Sequence, residues 1–372
     1  MTSVLVLNAG SSSLKYKSVD PQSGAVSVAG TVERIGGNGT ADYEAAVRTA
    51  IDRVAAAGAG PVACGHRVVH GGARFDRATV IDAKVEAAIE ELSVLAPLHN
   101  PANLAAIRAA RAVLSGVPHV AVFDTAFHRT IPESAFTYAI DATLAARHGI
   151  RRYGFHGTSH QFVSRAAAES LGKPVVETKL IVLHIGNGAS ACAVDRGRSI
   201  ETSMGMTPLE GLVMGTRSGD IDPAVLFHLQ REAGLDIDQL EALLNRRGGL
   251  YGLTGYSDMR DVQAAALDGD RQAELALEVY RHRIRRYVGA YMAELGGLDA
   301  IVFTAGVGEH DSLLRRRSLA GLGHLGIAVD PDRNELASDH ARVISPPDSP
   351  VAVLVIPTNE EWEIARQTVE VI

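Results

Sequence analysis

The chain has 372 residues, 46% of them hydrophobic and 21% charged, and a formal net charge of −7 at pH 7. This length favours two domains, and the acidic balance argues against a general nucleic-acid-binding protein. No apolar run approaches the ~20 residues that span a bilayer, and the first residues lack the basic start of a secretory signal. Because Cys64 and Cys192 form no metal-binding motif, we expect two small core residues in a reduced, cytoplasmic protein.

The first predicted element is a hairpin. An apolar strand, residues 4–7, stops at Asn8, and a second strand resumes at residue 14 after a turn of small residues. Gly10 lets the backbone approach a ligand closely, Ser11, Ser12 and Ser13 add hydroxyl groups, and Lys15 adds a positive charge. Such a turn suits a phosphate, although an ordinary polar turn explains this stretch equally well.

The rest of the first half alternates helices and strands. Helices are predicted at residues 41–57, at residues 83–95 after the cap residue Asp82, and around residues 104–114. Strands are predicted at residues 62–69, before a Gly-Gly turn, and at residues 119–123, whose carboxyl end delivers Asp124 into a loop. This alternation indicates an α/β layer structure.

The second half repeats the opening pattern. A glycine-broken loop, residues 153–160 (YGFHGTSH), opens a helix, and Thr158 with Gln161 has the spacing of a capping box. The strand at residues 180–185 then breaks at Gly186-Asn187-Gly188 and continues, and residues 300–309 repeat this pattern once more. Strand–turn–strand units about half a chain apart predict duplicated domains that face one cleft, with phosphate-binding loops on both walls.

Three further segments carry charged residues of interest. Residues 201–219 contain a single basic residue, Arg217, and we interpret it as a ligand or partner contact. The helix near residues 277–291 has an apolar face, and its four arginines, residues 281, 283, 285 and 286, are predicted to form a solvated face. Near the end, Thr358 and Glu361 form a second capping-box pair, and the helix dipole alone would explain Glu360.

The sequence lacks several motifs that would define other enzyme classes. There is no Walker A pattern, no complete G-x-G-x-x-G, no His-Glu-x-x-His and no Gly-x-Ser-x-Gly. What it contains is donor-rich turns, isolated arginines and histidines in loops, and acidic or amide oxygens at strand ends. These residues are suited to positioning and neutralising a transferring phosphoryl group together with Mg²⁺.

The motifs together resemble those of the acetokinase family, in the family's order over nearly the whole chain. They lie at residues 8–15 (NAGSSSLK), 65–72 (GHRVVHGG), 96–101 (APLHNP), 122–128 (VFDTAFH), 153–160, 184–188 (HIGNG), 201–219, 303–309 (FTAGVGE) and 356–361 (IPTNEE). The resemblance implies an α/β fold of two duplicated domains of mixed sheet flanked by helices around a nucleotide cleft. This is the ribonuclease H-like fold of acetate and sugar kinases, Hsc70 and actin. It also implies an acyl-side domain at residues 1–148, with helix 361–372 packed back on it, a nucleotide-binding domain at residues 149–360, and a homodimer.

The reaction implied by the resemblance is reversible, Mg²⁺-dependent phosphoryl transfer from ATP to acetate, giving acetyl phosphate and ADP. Arg67 would bind the substrate carboxylate, and His156 and Arg217 would stabilise the transferring group. Asp124 matches the family's catalytic carboxylate. Because acetate is already ionised at pH 7, we favour an orienting role over that of a strict base. The acyl pocket would be lined by Val69, Leu98, Phe155 and Pro208.

The resemblance further assigns Asn8 and Glu360 as ligands of Mg²⁺, with Mn²⁺ as an alternative. The residues that would contact ATP are Ser11, Ser13, Lys15, His184, Ile185, Gly186, Asn187, Gly188, Asp258, Met259, Arg260, Gly306, Val307, Gly308, Glu309 and His310. Met259 and His310 stand where the family commonly has Phe and Asn. His99 is a second-rank candidate beside the acyl site.

Two alternative functions stay open on the sequence. A propionate kinase would share every motif, because one methylene in an apolar pocket changes binding by only ~1–3 kcal/mol. A non-catalytic nucleotide-binding switch on the same fold would belong to another functional class, but it would not need an arginine on the acyl side.

Overall fold

The residues that the structure describes form two mixed β-sheets of six strands each. The structure is a computed structural model, and it describes residues 3–10, 12–36, 40–58 and 60–372. The first sheet has the order β3-β2-β1-β4-β6-β5. Its strands are β1 (Ser3–Ala9), β2 (Ser13–Val19), β3 (Val26–Glu33), β4 (Pro61–Val68), β5 (Thr79–Val80) and β6 (His119–Phe123).

The second sheet has the order β11-β12-β10-β7-β8-β9, which repeats the topology of the first. Its strands are β7 (Lys179–Ile185), β8 (Ala189–Asp195), β9 (Arg198–Thr202), β10 (Ala300–Thr304), β11 (Arg342–Val343) and β12 (Ala352–Val355). In each sheet an antiparallel three-stranded meander is followed by two strands parallel to its first strand and by a short antiparallel edge strand. The predicted duplication is therefore confirmed.

Helices flank both sheets. In the first half they are α1 (Thr40–Ala56), α2 (Ala83–Glu91), α3 (Asn100–Val113), α4 (Glu133–Phe136) and α5 (Ala142–His148). In the second half they are α6 (Gly157–Ser170), α7 (Ala224–Ala233), α8 (Ile237–Arg246), α9 (Gly249–Thr254), α10 (Met259–Leu267), α11 (Arg271–Leu295), α12 (Ala305–His310), α13 (Ser312–Leu319), α14 (Pro331–Glu335) and α15 (Glu360–Glu370). Short 3₁₀ segments lie at Leu92–Val94, Ala126–Thr130, Val175–Glu177 and Gly323–Leu325. Within the described ranges, no helix has the length and apolar character needed to cross a membrane.

Local signals placed several helix ends correctly and two incorrectly. The Asp82 side chain accepts a hydrogen bond from the Val85 amide at 2.8 Å, as predicted for the cap of α2. The capping box predicted at Thr158 is wrong, because α6 begins at Gly157 and Thr158 lies inside its first turn. The box predicted at Thr358 is also wrong, because the side chain of Asn359 accepts the Trp362 amide and caps α15.

The arginines of α11 form the predicted solvated face only in part, because Arg286 is exposed and the other three are not. Arg281 is only 7% exposed. Arg283 donates to the backbone oxygens of Gly211 and Asp220 and pairs with the Asp220 carboxylate at 3.3 Å. For Arg283 the reason is that residues 211–220 pack on its side of α11, and Arg285 in the same way donates to the backbone oxygens of Arg317 and Ser318.

Helix α15 lies on the first sheet, although it follows a strand of the second. Ile364 and Ala365 share a buried cluster with Val4 and Val6 of β1 and with two valines of β6. A side chain at Gly65 of β4 would come within 2.5 Å of the Thr368 hydroxyl, so the helix rests directly on the strand. The domain boundaries proposed above stay a prediction.

Candidate active site

The first group of predicted site residues meets at the carboxyl ends of β1, β4 and β6. Arg67 of β4 donates through Nε to Asp124 Oδ1 at 2.9 Å and through Nη2 to Asp124 Oδ2 at 2.6 Å. Its Nη1 donates to Asn8 Oδ1 at 3.2 Å, and Glu360 Oε2 lies 3.8 Å from its Nε. Strands β4 and β6 are parallel neighbours, so their carboxyl ends lie at the same edge of the sheet. Asp124, just beyond β6, can therefore reach Arg67, near the end of β4. The structure thus brings Asn8, Arg67, Asp124 and Glu360 together.

The charges in this group are strongly coupled. Burial raises the pKa of the Asp124 carboxyl, and the neighbouring Arg67 guanidinium opposes that effect. Burial also disfavours the charge on Arg67, but Asp124 and Glu360 outweigh it and raise the pKa of the guanidinium. The arginine is therefore a permanent cation, and the bidentate contact fixes its orientation.

A second group is formed by three histidines, His156, His160 and His184, here called the histidine cluster. The rings of His156 and His184 stack with centroids 4.2 Å apart. The Ser190 hydroxyl lies 2.9 Å from His156 Nδ1 and 2.8 Å from His160 Nε2. The Ser159 hydroxyl lies 2.8 Å from His184 Nδ1 and also 2.8 Å from the Thr358 hydroxyl.

Burial keeps the histidine cluster neutral. It lowers the pKa of His184 to about 4 and places those of His156 and His160 well below the usual 6.5. The like charges that would arise on neighbouring rings lower the pKa of His156 further. Arg67 and Arg217 both contribute to that lowering, so cations from the two halves of the chain act on one imidazole.

Gly188, in the turn between β7 and β8, makes room for Arg217. A Cβ at this position would lie 2.7 Å from Arg217 Nη2 and 3.6 Å from both Cε1 and Nε2 of His156. Arg217 Nη1 donates to the backbone oxygen of Pro208 at 2.5 Å, and burial lowers the pKa of its guanidinium. The glycine turn, Arg217 and the Nε2 side of His156 therefore border one space.

A cavity of about 970 Å³ lies beside the Gly188 turn, between α10, α11 and α12. Eight predicted ATP contacts line it, namely Gly186, Asn187, Asp258, Met259, Arg260, Gly306, Val307 and His310. Ser257, Gln263 and Tyr280 also line it and were missed. Tyr280 lies on the apolar face predicted for the helix near residues 277–291, and Gln263 carried no motif that could have marked it.

The other predicted ATP contacts that the structure describes lie outside this cavity. Ile185 is fully buried in the core of the second sheet, so its side chain is not at a surface. The Gly308 backbone oxygen accepts a hydrogen bond from Arg315, and the Glu309 carboxylate accepts one from the Thr358 amide. His184 belongs to the histidine cluster.

The opening hairpin forms as predicted, by antiparallel pairing of β1 with β2. The Gly10 amide donates to the Ser13 backbone oxygen at 2.8 Å, and Lys15 is exposed and pairs in register with Asn8. Ser11 lies outside the described residues.

The four residues predicted for the acyl pocket do not all lie in one apolar cluster. Val69 and Phe155 are buried in one apolar cluster, which joins the loop after β4 to the second half of the chain. Leu98 is 50% exposed, and Pro208 uses its backbone oxygen to hold Arg217. His99 is exposed at its surface side, and partial desolvation of its ring, together with the charges of Arg217 and Arg67, lowers its pKa.

A model of the Acetokinase family matches residues 3–366. The chain belongs to the acetokinase family. The acetate kinase of Clavibacter michiganensis subsp. michiganensis is 61% identical over 99% of this chain and 98% of that protein, and the one of Leifsonia xyli subsp. xyli is 59% identical over 100% and 99%. The resemblance stated from the motifs is confirmed.

Solved structures agree with this placement of the acetokinase-family chain. The acetate kinase of Porphyromonas gingivalis superposes with a TM-score of 0.94 at 41% identity, and a propionate kinase from Francisella tularensis subsp. tularensis with 0.94 at 40%; each covers 100% of both chains. A ROK hexokinase from Thermus thermophilus, at 13% identity and a TM-score of 0.50, shares the fold alone. The predicted fold class is confirmed.

Two asparagines that support the site of this acetokinase-family chain were missed. Asn103 of α3 donates to the Ala9 backbone oxygen at 2.8 Å and accepts the Val69 amide at 3.1 Å. Asn100 makes the corresponding pair of bonds with the backbone of His70. They tie the ends of β1 and β4 to one helix. The only signal was their position next to the Pro-Leu-His loop.

Cys64 and His66 of β4 and His119 of β6 also lie close together. His66 Nε2 and His119 Nδ1 are 2.9 Å apart, and His119 Nε2 lies 3.1 Å from the Leu114 backbone oxygen. His119 donates through Nε2 to that backbone oxygen and accepts the Nε2–H of His66 at Nδ1, so ordinary hydrogen bonds account for these imidazoles. Burial raises the pKa of the Cys64 thiol, as expected for a core cysteine.

Proposed function

We propose that this chain transfers the γ-phosphoryl group of ATP to acetate, reversibly, to form acetyl phosphate and ADP. The observation that carries the proposal is the setting of Arg217. This partly buried guanidinium donates to a backbone oxygen, and no acidic side chain of the described residues pairs with it. A cation held without a counter-charge beside a glycine turn favours an anion, and a phosphoryl group is the anion that the family transfers.

Arg67 supports the choice of a carboxylate as acceptor. Asp124 occupies the Nε and Nη2 side of its guanidinium, and Asn8 takes one hydrogen of Nη1. The end formed by Nη1 and Nη2 still has hydrogens to donate, and two parallel N–H groups match the two oxygens of a carboxylate. Val69 and Phe155 supply apolar surface for the methyl group of acetate.

The chemistry needs no general base. An oxygen of the ionised carboxylate attacks the γ-phosphorus, and the bond to the β–γ bridging oxygen breaks, leaving its electrons on ADP. The barrier comes from bringing two anions together in line. Arg67 would hold one anion, while Arg217 and His156 would hold the other. Asp124, with no proton to remove, would position Arg67.

Asn8 and Glu360 would hold Mg²⁺. Both offer oxygen atoms next to the same guanidinium, and a small set of oxygen ligands completed by water is the usual preference of this ion, with Mn²⁺ accepting a similar set. When bound, the ion would neutralise phosphate charge. Glu309 would fix the segment that carries Glu360 through its hydrogen bond to the Thr358 amide.

The proposal is tested by trapping the product as a hydroxamate with formate, acetate, propionate and butyrate as acceptors. We expect acyl phosphate with acetate as the preferred acceptor. Formation of no acyl phosphate with any of the four acids would reject a carboxylate kinase and leave the nucleotide-binding switch.

A propionate kinase is the second candidate, favoured by the propionate kinase structure that superposes on the whole chain. The substrate series separates the two by their kcat/KM values. Val69→Ala enlarges the space in the apolar pocket, so it should shift the ratio of kcat/KM values towards propionate by about tenfold, the worth of one methylene.

We also propose that the protein is a homodimer. Large apolar side chains are exposed on the helices of the second half, including Val225, Phe227, Ile237 and Leu267. Light scattering should give the mass of two chains. A single-chain mass at micromolar concentration would contradict this.

A further inference from the structure

Ser190 is placed between two histidines in a way that fixes the direction of two hydrogen bonds. Its hydroxyl is 2.9 Å from His156 Nδ1 and 2.8 Å from His160 Nε2, and the residue is fully buried in β8. Among the described residues its side chain has no third hydrogen-bond partner. One hydroxyl carries one proton, so it donates to one imidazole and accepts from the other.

His160 distinguishes the two arrangements. Its Nδ1 is buried and has no hydrogen-bond partner among the described residues. If Ser190 donated to His160, the proton of this neutral ring would sit on Nδ1, as a buried N–H without an acceptor. If His160 donates through Nε2, only a lone pair is left without a partner. Buried N–H groups without acceptors are the rarer and costlier case.

The second arrangement determines the tautomer of His156. His160 Nε2–H donates to Ser190, and the Ser190 hydroxyl donates to His156 Nδ1. The proton of the neutral His156 ring then lies on Nε2, the atom that borders the space shared with Gly188 and Arg217. His156 has a positive φ of 57°, an uncommon conformation for a non-glycine residue, so its ring is also held by an unusual backbone.

We propose that Ser190 and His160 are positioning residues that hold His156 with its proton on Nε2, ready to donate to an oxygen of the transferring phosphoryl group. This inference rests on the role of His156 in the proposed function. The Ser159 hydroxyl does not fix His184 in the same way, because its second partner is the Thr358 hydroxyl, which can either donate or accept.

The experiment measures the tautomer directly, by NMR of the full-length protein labelled with ¹⁵N-histidine. In the wild type we expect a protonated Nε2 and an unprotonated Nδ1 at His156. Ser190→Ala should populate the Nδ1–H form and lower kcat about 10- to 100-fold, with less change in KM, because a donor to the reacting group is lost. His160→Gln, whose amide can still donate to Ser190, should retain more activity than His160→Leu.

The matched control is Ser199→Ala. Ser199 is also fully buried and lies 2.8 Å from the Nδ1 of another histidine, His128, whose Nε2 bonds to the Phe155 backbone oxygen and not to Ser190. This variant should leave the His156 tautomer unchanged. Its kcat should stay within about threefold of the wild-type value. A wild-type His156 protonated on Nδ1, or a tautomer unchanged in Ser190→Ala, would overturn the inference. Unchanged kcat in His156→Ala would instead reject the catalytic role of His156, whatever the tautomer.

Discussion

Substituting Gly188 tests the close approach of the β7–β8 turn to Arg217. In Gly188→Ala the new methyl carbon would lie 2.7 Å from Arg217 Nη2. Ordinary contacts need about 3.5 Å, so the guanidinium must retreat by roughly 0.8 Å. Its other end is held at the Pro208 backbone oxygen, so the shift moves the nitrogen that faces the turn.

A displacement of about 1 Å at a reacting centre costs about 100-fold in rate, or ~2.7 kcal/mol in the barrier. We therefore expect kcat for acetyl phosphate formation to fall about 100-fold in Gly188→Ala, with ATP binding retained because the cavity between α10 and α12 is unchanged. The assay measures kcat and KM by hydroxamate trapping, and ADP affinity by calorimetry.

Gly289→Ala serves as the control, because a Cβ in this part of α11 meets nothing within 4 Å. It should leave kcat unchanged. A kcat for Gly188→Ala within threefold of the wild type, or an equal loss in both variants, would refute the steric argument.

Three further predictions follow from the site. Arg217→Ala should lower kcat about 1,000-fold with ADP affinity retained. The Arg260 side chain is 88% exposed and lines the nucleotide cavity, so Arg260→Ala should change the KM for ATP more than kcat. The reverse pattern would exchange their proposed roles. Asp124→Asn keeps the shape of the side chain but removes the charge that orients Arg67. The kcat/KM for acetate should therefore fall about 100-fold at every pH from 6 to 8. Activity that recovers as the pH rises would instead indicate that Asp124 acts as a base. The pKa values of His128 and His184 are lowered by burial to about 4, so the unfolded chain takes up protons below pH 6.5 while the folded chain does not. The free energy of unfolding should therefore decline as the pH falls from 6.5 towards 4, and the loss at pH 5.5 should be about 1.4 kcal/mol per histidine. Urea unfolding at pH 7 and at pH 5.5 measures this loss. Equal free energies of unfolding at the two pH values would contradict the prediction.

The sequence was sufficient to predict the elements in which local pattern and tertiary structure agree. Apolar strands ending in glycine turns were predicted at residues 4–7, 180–185 and 300–304, and all three are central strands. Their repetition indicated duplication before any topology was known. Such strands are buried on both faces, so their composition alone distinguishes them.

Helix starts were harder to predict, because several residues compete to cap one helix. Thr158 and Thr358 had the spacing of capping boxes, but α6 follows the positive-φ residue His156 and α15 is capped by Asn359. In both cases contacts with residues distant in the sequence decide the outcome. The Thr358 hydroxyl, for example, is directed to Ser159 rather than to its own helix.

Within the site, charged residues in motifs were predicted and neutral supporting residues were not. Arg67 and Asp124 belong to long motifs, whereas Asn103 and Ser190 act only through partners that are distant in the sequence. A hydrogen bond between residues 34 or 94 positions apart leaves no local pattern. The placement of these residues required the fold.

Helix α15 also determines when the first sheet can be completed. Its contacts join residues separated by almost the whole chain, such as Lys17 with Glu361 and Trp362 with the Pro21 backbone oxygen. During synthesis one face of β1, β4 and β6 stays uncovered until residues 360–370 have been made. Contacts of such long range slow folding and leave apolar surface exposed to aggregation. The half of the protein made first is therefore finished last.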